Sequence, residues 1–366
     1  MEGKIESLQA MRGLAFIGIF LAHAGCKFEW AALSVTTFMT LSGFLLMKNR
    51  GGGYKLRCSL KHNILFSWNR IRRLYLLHIY TMLVAIAIYL FQVNVFASFK
   101  ELASLGLKVI CNVFLIQTWF PHSSVCQSLN GVAWYLSAMA FLYFLFPYIV
   151  RWITNKDTKI LRKTLVVILL VELLSCTLLV FVLGEKSPVY IWFRYYFPIL
   201  RVPDFFAGCV LGKVYFEKID FKMDSNKYDR SINWKVSIYE IVLLSITVVI
   251  CIFTKMDNIP WYMKGIYNNN ALLVPLSMGW VSVFAGTNRR GLLSLVFNNN
   301  ICRYIGNISS AAYLIHYVVI QLSKVFVTRI SFVLIKGCMA KWVFIIVELT
   351  ISLFLSSLYM KKRINK

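Results

Sequence analysis

The chain has 366 residues, 59% of them hydrophobic and 16% aromatic, and a formal net charge of +25. So apolar a composition excludes an ordinary soluble domain of this length, and the absence of alternating segments of about ten residues excludes an outer-membrane barrel. The basic residues lie between apolar runs and not on one basic domain, so they read as topology determinants and not as a nucleic-acid surface.

The hydropathy pattern predicts an all-α, polytopic membrane bundle of about ten spans, at roughly 8–26, 30–48, 74–96, 131–150, 164–184, 195–216, 236–254, 270–286, 307–325 and 340–360. Two further apolar stretches, 102–119 and 291–302, are short or interrupted and read as interfacial or re-entrant. The N-terminal segment shows no signal-peptide cleavage pattern, so the first run is expected to remain as a span. Polar connections are expected at 49–73, 97–130 and 217–235, with a flexible turn at Gly51 to Tyr54. With the N terminus placed in the cytoplasm, 27 of the 40 Lys and Arg residues fall on inner segments and 11 on outer ones. Arg12 and Arg201 lie within spans. The bias predicts both termini inside. The reading is of a single integral-membrane domain over 1–366, with no appended soluble domain.

Nine cysteines are scattered without a CxxC, so no zinc site is expected. Cys111 and Cys126 are the pair that could meet on the outer side.

The first span, MRGLAFIGIFLAHAG, carries Arg12 and His23. An ionisable residue at bilayer depth is costly, roughly 2.5–3.5 kcal/mol on translocon scales, and usually faces a bundle interior or a wet cavity. Eleven residues return a helix to nearly the same face about 16 Å further along. The pair therefore fits either a long site with an anion-binding end and a reactive end, or a snorkelling arginine with a packing histidine.

The second span contains Ser42 and Gly43, a small, polar break that also suits close helix packing. Arg70, Arg72 and Arg73 open the third span; they suit phosphate binding, and equally a positive-inside flank. Trp134, Tyr135 and Ser137 open the fourth. Arg201 and Asp204, at i and i+3, are placed to pair within the membrane. Near the end, Tyr313 and His316 are i, i+3 neighbours, with Tyr317 adjacent.

The order of these motifs carries more than any one of them. Arg-x10-His, then SGFLL, RIRRLY, WYLS, PDFFAG and IGNISSAAYLIH together resemble the acyltransferase-3 family across nearly the whole chain. These are integral-membrane enzymes that move acetyl or other acyl groups from cytoplasmic acyl-CoA to sugars of surface polysaccharides and glycolipids. The resemblance implies that Arg12 and His23 carry activity and that Arg70 and Arg73 form the RxxR pair. Arg72, between them, is expected to share in binding the acyl-CoA phosphates.

On this reading His23 is the general base. Ser42, Gly43, Trp134, Ser137, Tyr313 and His316 line the site. No permanently bound cofactor or metal is expected. Acetyl-CoA is the co-substrate, and the partners are a polysaccharide or glycolipid acceptor and membrane lipid. The resemblance also implies a multi-pass protein of the bacterial cytoplasmic membrane, here a stand-alone member without an SGNH-type domain. Two positions depart from the family pattern: Met139 stands where many members have Glu, and Leu76 follows Tyr75 where Pro is usual. The competing classes are a glycolipid or small-solute transporter and a non-catalytic membrane subunit. The chain shows no repeat-related halves of the kind transporters use.

Overall fold

The computed structural model describes residues 5–26, 30–48, 58–93, 98–219, 232–253, 260, 262–263, 269–286, 291–330 and 338–364. The expected turn at 51–54 lies outside them. Eleven longer helices carry the fold among the described residues: α1 (Glu6–His23), α2 (Trp30–Lys48), α3 (Leu60–Gln92), α4 (Phe99–Val113), α5 (Trp134–Thr154), α6 (Thr158–Leu183), α7 (Val202–Ile219), α8 (Trp234–Phe253), α9 (Asn270–Ala285), α10 (Asn300–Ile330) and α11 (Cys338–Ile364). Each of the ten expected spans falls on one of these helices. α2, α3, α5, α6, α8, α10 and α11 are long and apolar enough to cross a membrane. Within 18 residues each, α1 carries Glu6, Arg12 and His23, and α7 carries Asp204, Lys213, Glu217 and Lys218.

Burial separates an inner group from a lipid-facing one. Two thirds of the apolar stretch is buried in α2 and in α10, against 22% in α6, α8 and α11, whose outward Leu, Val and Ile side chains are exposed among the described residues. Glycine brings the inner helices together. A Cβ on Gly306 of α10 would lie 1.7 Å from the Gln9 carbonyl oxygen of α1, and one on Gly13 would lie 2.3 Å from the Cys302 carbonyl oxygen. α2 and α7 touch in the same way, through Gly43 against the Phe205 carbonyl and Gly208 against the Thr40 carbonyl. Small residues of this kind permit backbone-to-backbone contact where apolar collapse gives no drive between helices.

Two boundaries differ from the sequence expectation. α3 begins at Leu60, not near 74, because Ser59 caps it by accepting the His62 N–H and the helix runs through the polar stretch before entering the apolar one. Arg70, Arg72 and Arg73 therefore sit within a 33-residue helix and not at its start. α7 begins only at Val202, preceded by π and 3-10 turns at Trp192–Tyr196 and Pro198–Arg201. Pro198 and Pro203 each lack an N–H, which the first turn of a helix tolerates and its interior does not. The stretch 102–119 forms the amphipathic α4, capped by Ser98, and a 3-10 turn.

Candidate functional site

The last residue of α1 meets the middle of α10. His23 Nδ1 lies 3.0 Å from His316 Nε2, across 293 residues of chain. His316 Nδ1 in turn lies 3.1 Å from the carbonyl oxygen of Ala312, one turn earlier on α10. His316 is fully buried, with the edges of Phe16 and Phe20 against it at 5.7 and 6.2 Å between centroids. His23 is half-buried and borders a cavity of about 280 Å³. That is close to the lower end of small-molecule pockets, roughly 300 Å³. Trp134, Gln127, Tyr195, Tyr196, Tyr313 and Tyr317 supply most of its polar wall, and Gln127 donates to the Tyr196 hydroxyl.

A buried ion pair holds this wall. Arg201 Nη1 donates to Asp204 Oδ2 at 2.9 Å, as the i, i+3 spacing predicts, and Arg201 Nε donates to the Tyr195 carbonyl at 2.8 Å. The guanidinium lies over the rings of Tyr195 and Trp134, at 4.5 and 5.4 Å from their centroids. A desolvated guanidinium over aromatic faces is worth about 2 kcal/mol per favourable contact. Glu172 of α6, also buried, lies within electrostatic reach of both members of the pair.

Toward the other end of α1, a second cluster forms. The Tyr143 phenol on α5 lies within the electrostatic reach of Arg12, Arg70 and Arg73, with the Ser42 hydroxyl beside it. No described residue forms an ion pair with Arg12. Ser42 also adjoins Tyr135, whose ring is 5.1 Å from that of Tyr313, and Tyr313 borders the cavity. Tyr143, Tyr135 and Tyr313 thus step from the arginines to the histidines, over the roughly 16 Å that helical rise sets between Arg12 and His23.

The structure gathers some of the expected residues and leaves others apart. Arg12, Arg70, Arg73 and Ser42 share one cluster; His23, His316, Trp134 and Tyr313 share the other. Arg72 and Arg73 are both exposed, but Arg72 is turned about 200° round α3 from Arg70 and Arg73 only about 60° the other way, so Arg73 and not Arg72 acts with Arg70 on Tyr143. Gly43 is buried where α2 crosses α7. Ser137 points away from the cavity: its hydroxyl bonds the Thr118 hydroxyl at 2.6 Å and the Leu115 carbonyl at 2.5 Å, securing the segment after α4. Met139 is fully buried in the apolar core, so the carboxylate of the family pattern has no equivalent at this position.

Cys111 and Cys126 are free thiols, and burial pushes the Cys126 thiol up to about 12, far from a nucleophile's range. Tyr143 and Glu172 were not singled out from sequence. Glu172 stands alone in an apolar run, which is the same signal that marks Arg12. Tyr143 lies among many aromatics and carries no such mark.

A helical membrane bundle with a histidine at a cavity, a second histidine bonded behind it, and arginines about three turns away defines the class. The chain belongs to the acyltransferase-3 family, whose acyltransferase domain matches it over residues 5–361. Among curated proteins it is similar to the peptidoglycan O-acetyltransferase OatA of Listeria monocytogenes, at 25% identity over 334 residues. That alignment takes in 87% of this chain and 50% of OatA, so the chain spans about half the length of that relative. No solved structure matches.

Proposed function

We propose that this protein transfers an acetyl group from acetyl-CoA to a sugar hydroxyl of a cell-envelope glycan, in the cytoplasmic membrane of a bacterium. The observation that carries the reading is the joint one: three arginines within electrostatic reach of Tyr143, and a histidine at a cavity about one pantetheine-length along the same helix. Arginine forks suit the phosphates of the donor. An Arg12 without an ion-pair partner among the described residues has its charge available for such an anion. Pantetheine then follows the tyrosine steps, and the thioester reaches the cavity. The name of OatA, a peptidoglycan O-acetyltransferase, favours a cell-wall glycan as acceptor.

In the reaction, a sugar hydroxyl gives its proton to His23 Nε2 as its oxygen attacks the thioester carbonyl. The tetrahedral intermediate collapses with cleavage of the C–S bond. The proton returns from His23 to the departing thiolate, giving the ester and free CoA. Tyr313, which lines the cavity, supplies the hydroxyl that donates to the developing oxyanion on this reading.

The test uses purified protein in lipid nanodiscs with radiolabelled acetyl-CoA and a soluble cell-wall oligosaccharide. Label should enter the glycan with the wild type and fall at least 100-fold with His23→Ala, while the thermal unfolding midpoint of the variant stays near that of the wild type. Equal transfer by both proteins would rule out His23 as the base.

A further inference from the structure

The hydrogen bonds around the two histidines leave only one arrangement of their protons. A carbonyl oxygen can only accept, so the contact from His316 Nδ1 to the Ala312 oxygen at 3.1 Å requires hydrogen on Nδ1. A neutral imidazole carries one N–H, so His316 Nε2 holds a lone pair and must accept. Its partner at 3.0 Å is His23 Nδ1, which is therefore the protonated nitrogen of His23. The lone pair of His23 is left on Nε2, at the far edge of a ring that borders the cavity.

The opposite order would set the Nδ1 lone pair of His316 against the carbonyl oxygen, in a site with no solvent exposure. Leaving buried polar groups unpaired in this way costs about 1–3 kcal/mol each. The rings of Phe16, Phe20 and Tyr313 pack around the imidazole, and the Tyr313 backbone within reach of it presents a carbonyl, which like that of Ala312 can only accept.

We infer that His316 is a positioning residue that fixes His23 in the Nδ1–H tautomer through a relay anchored on the Ala312 backbone carbonyl, aiming a bare Nε2 at the cavity. It does for His23 what a buried carboxylate does in a serine-protease triad, with a neutral acceptor in place of a charged one. This inference rests on the general-base reading of His23 only for its effect on rate; the proton order itself can be read without turnover.

The experiment is ¹⁵N solid-state NMR of histidine-labelled protein in lipid, with each resonance assigned by single His substitutions, alongside transfer kinetics. In the wild type, His23 should show a protonated Nδ1 and an unprotonated Nε2. His316→Phe should mix or reverse that order, and lower kcat roughly 10²- to 10⁴-fold with KM for acetyl-CoA within about twofold. His316→Gln, whose side-chain oxygen can accept near the Nε2 position, should retain the wild-type tautomer and recover kcat to within about tenfold. A wild-type His23 protonated at Nε2 would overturn the inference, as would an unchanged spectrum and kcat in His316→Phe. The expected spectrum in a protein that transfers no acetyl would uphold the proton order and overturn the base role instead.

Discussion

Substituting Gly306 with Ala tests the packing on which the histidine contact depends. The added Cβ would fall 1.7 Å from the Gln9 carbonyl oxygen and 2.6 Å from its carbon. Both neighbours are backbone atoms, so no side chain can swing aside. Restoring ordinary contact at about 3.4 Å requires α1 and α10 to part by as much as 1.7 Å at that level. If the helices move as rods, the 3.0 Å contact between His23 and His316 opens past 4 Å, beyond hydrogen-bond range. Overpacking of this kind costs about 1–3 kcal/mol, and loss of the buried hydrogen bond adds about 1 kcal/mol. Gly106 on α4 is the control, because nothing lies within 4 Å of a Cβ there and Ala is the better helix former. Thermal unfolding of the three proteins in the same detergent, followed by acetyl transfer, reads both effects. Gly306→Ala should unfold several degrees lower and transfer at least tenfold more slowly, whereas Gly106→Ala should match or exceed the wild type in stability. A Gly306→Ala protein equal to the wild type in both would refute the close approach of α1 and α10.

Two further predictions follow from the charged groups. Asp204→Ala leaves Arg201 buried without its partner and should cost about 3–5 kcal/mol in stability, whereas replacing both residues by apolar side chains of similar volume should cost much less; unfolding midpoints of the single and double variants decide this. Arg70→Ala and Arg73→Ala should each raise KM for acetyl-CoA roughly tenfold, the loss of about one charge-assisted contact, while Arg72→Ala changes it less than twofold; steady-state kinetics against donor concentration separate them.

The spans were legible because hydrocarbon thickness imposes a length that composition reveals: each of the ten stretches falls at least in part on a helix, and seven of those helices are long and apolar enough to cross a membrane. Arg12 and His23 were legible because charge at that depth is rare, and Arg201 with Asp204 because an i, i+3 spacing lets opposite charges meet on one helix face. What was not legible is contact between distant helices. Nothing in the first span points to His316, and that pairing follows from glycines on two helices that meet only in the fold. Periodicity places Ser137 on α5, yet its hydroxyl is taken by Thr118 and Leu115 from a loop that no pattern orients. The start of α3 was missed because a polar run reads as a loop, although a capped helix can extend into water before it reaches apolar surroundings.

The most direct test of the account is transfer with donor and acceptor on opposite sides. Protein is reconstituted in one orientation into sealed vesicles. Labelled acetyl-CoA is supplied only at the face bearing Arg12, Arg70 and Arg73, and a cell-wall oligosaccharide only at the face nearer His23. The account predicts that label appears on the glycan across the membrane, that none appears when donor and acceptor exchange sides, and that His23→Ala abolishes the transfer. Label that reaches the glycan equally well with the sides exchanged, or that persists in His23→Ala, would contradict a donor path running from the arginines to His23.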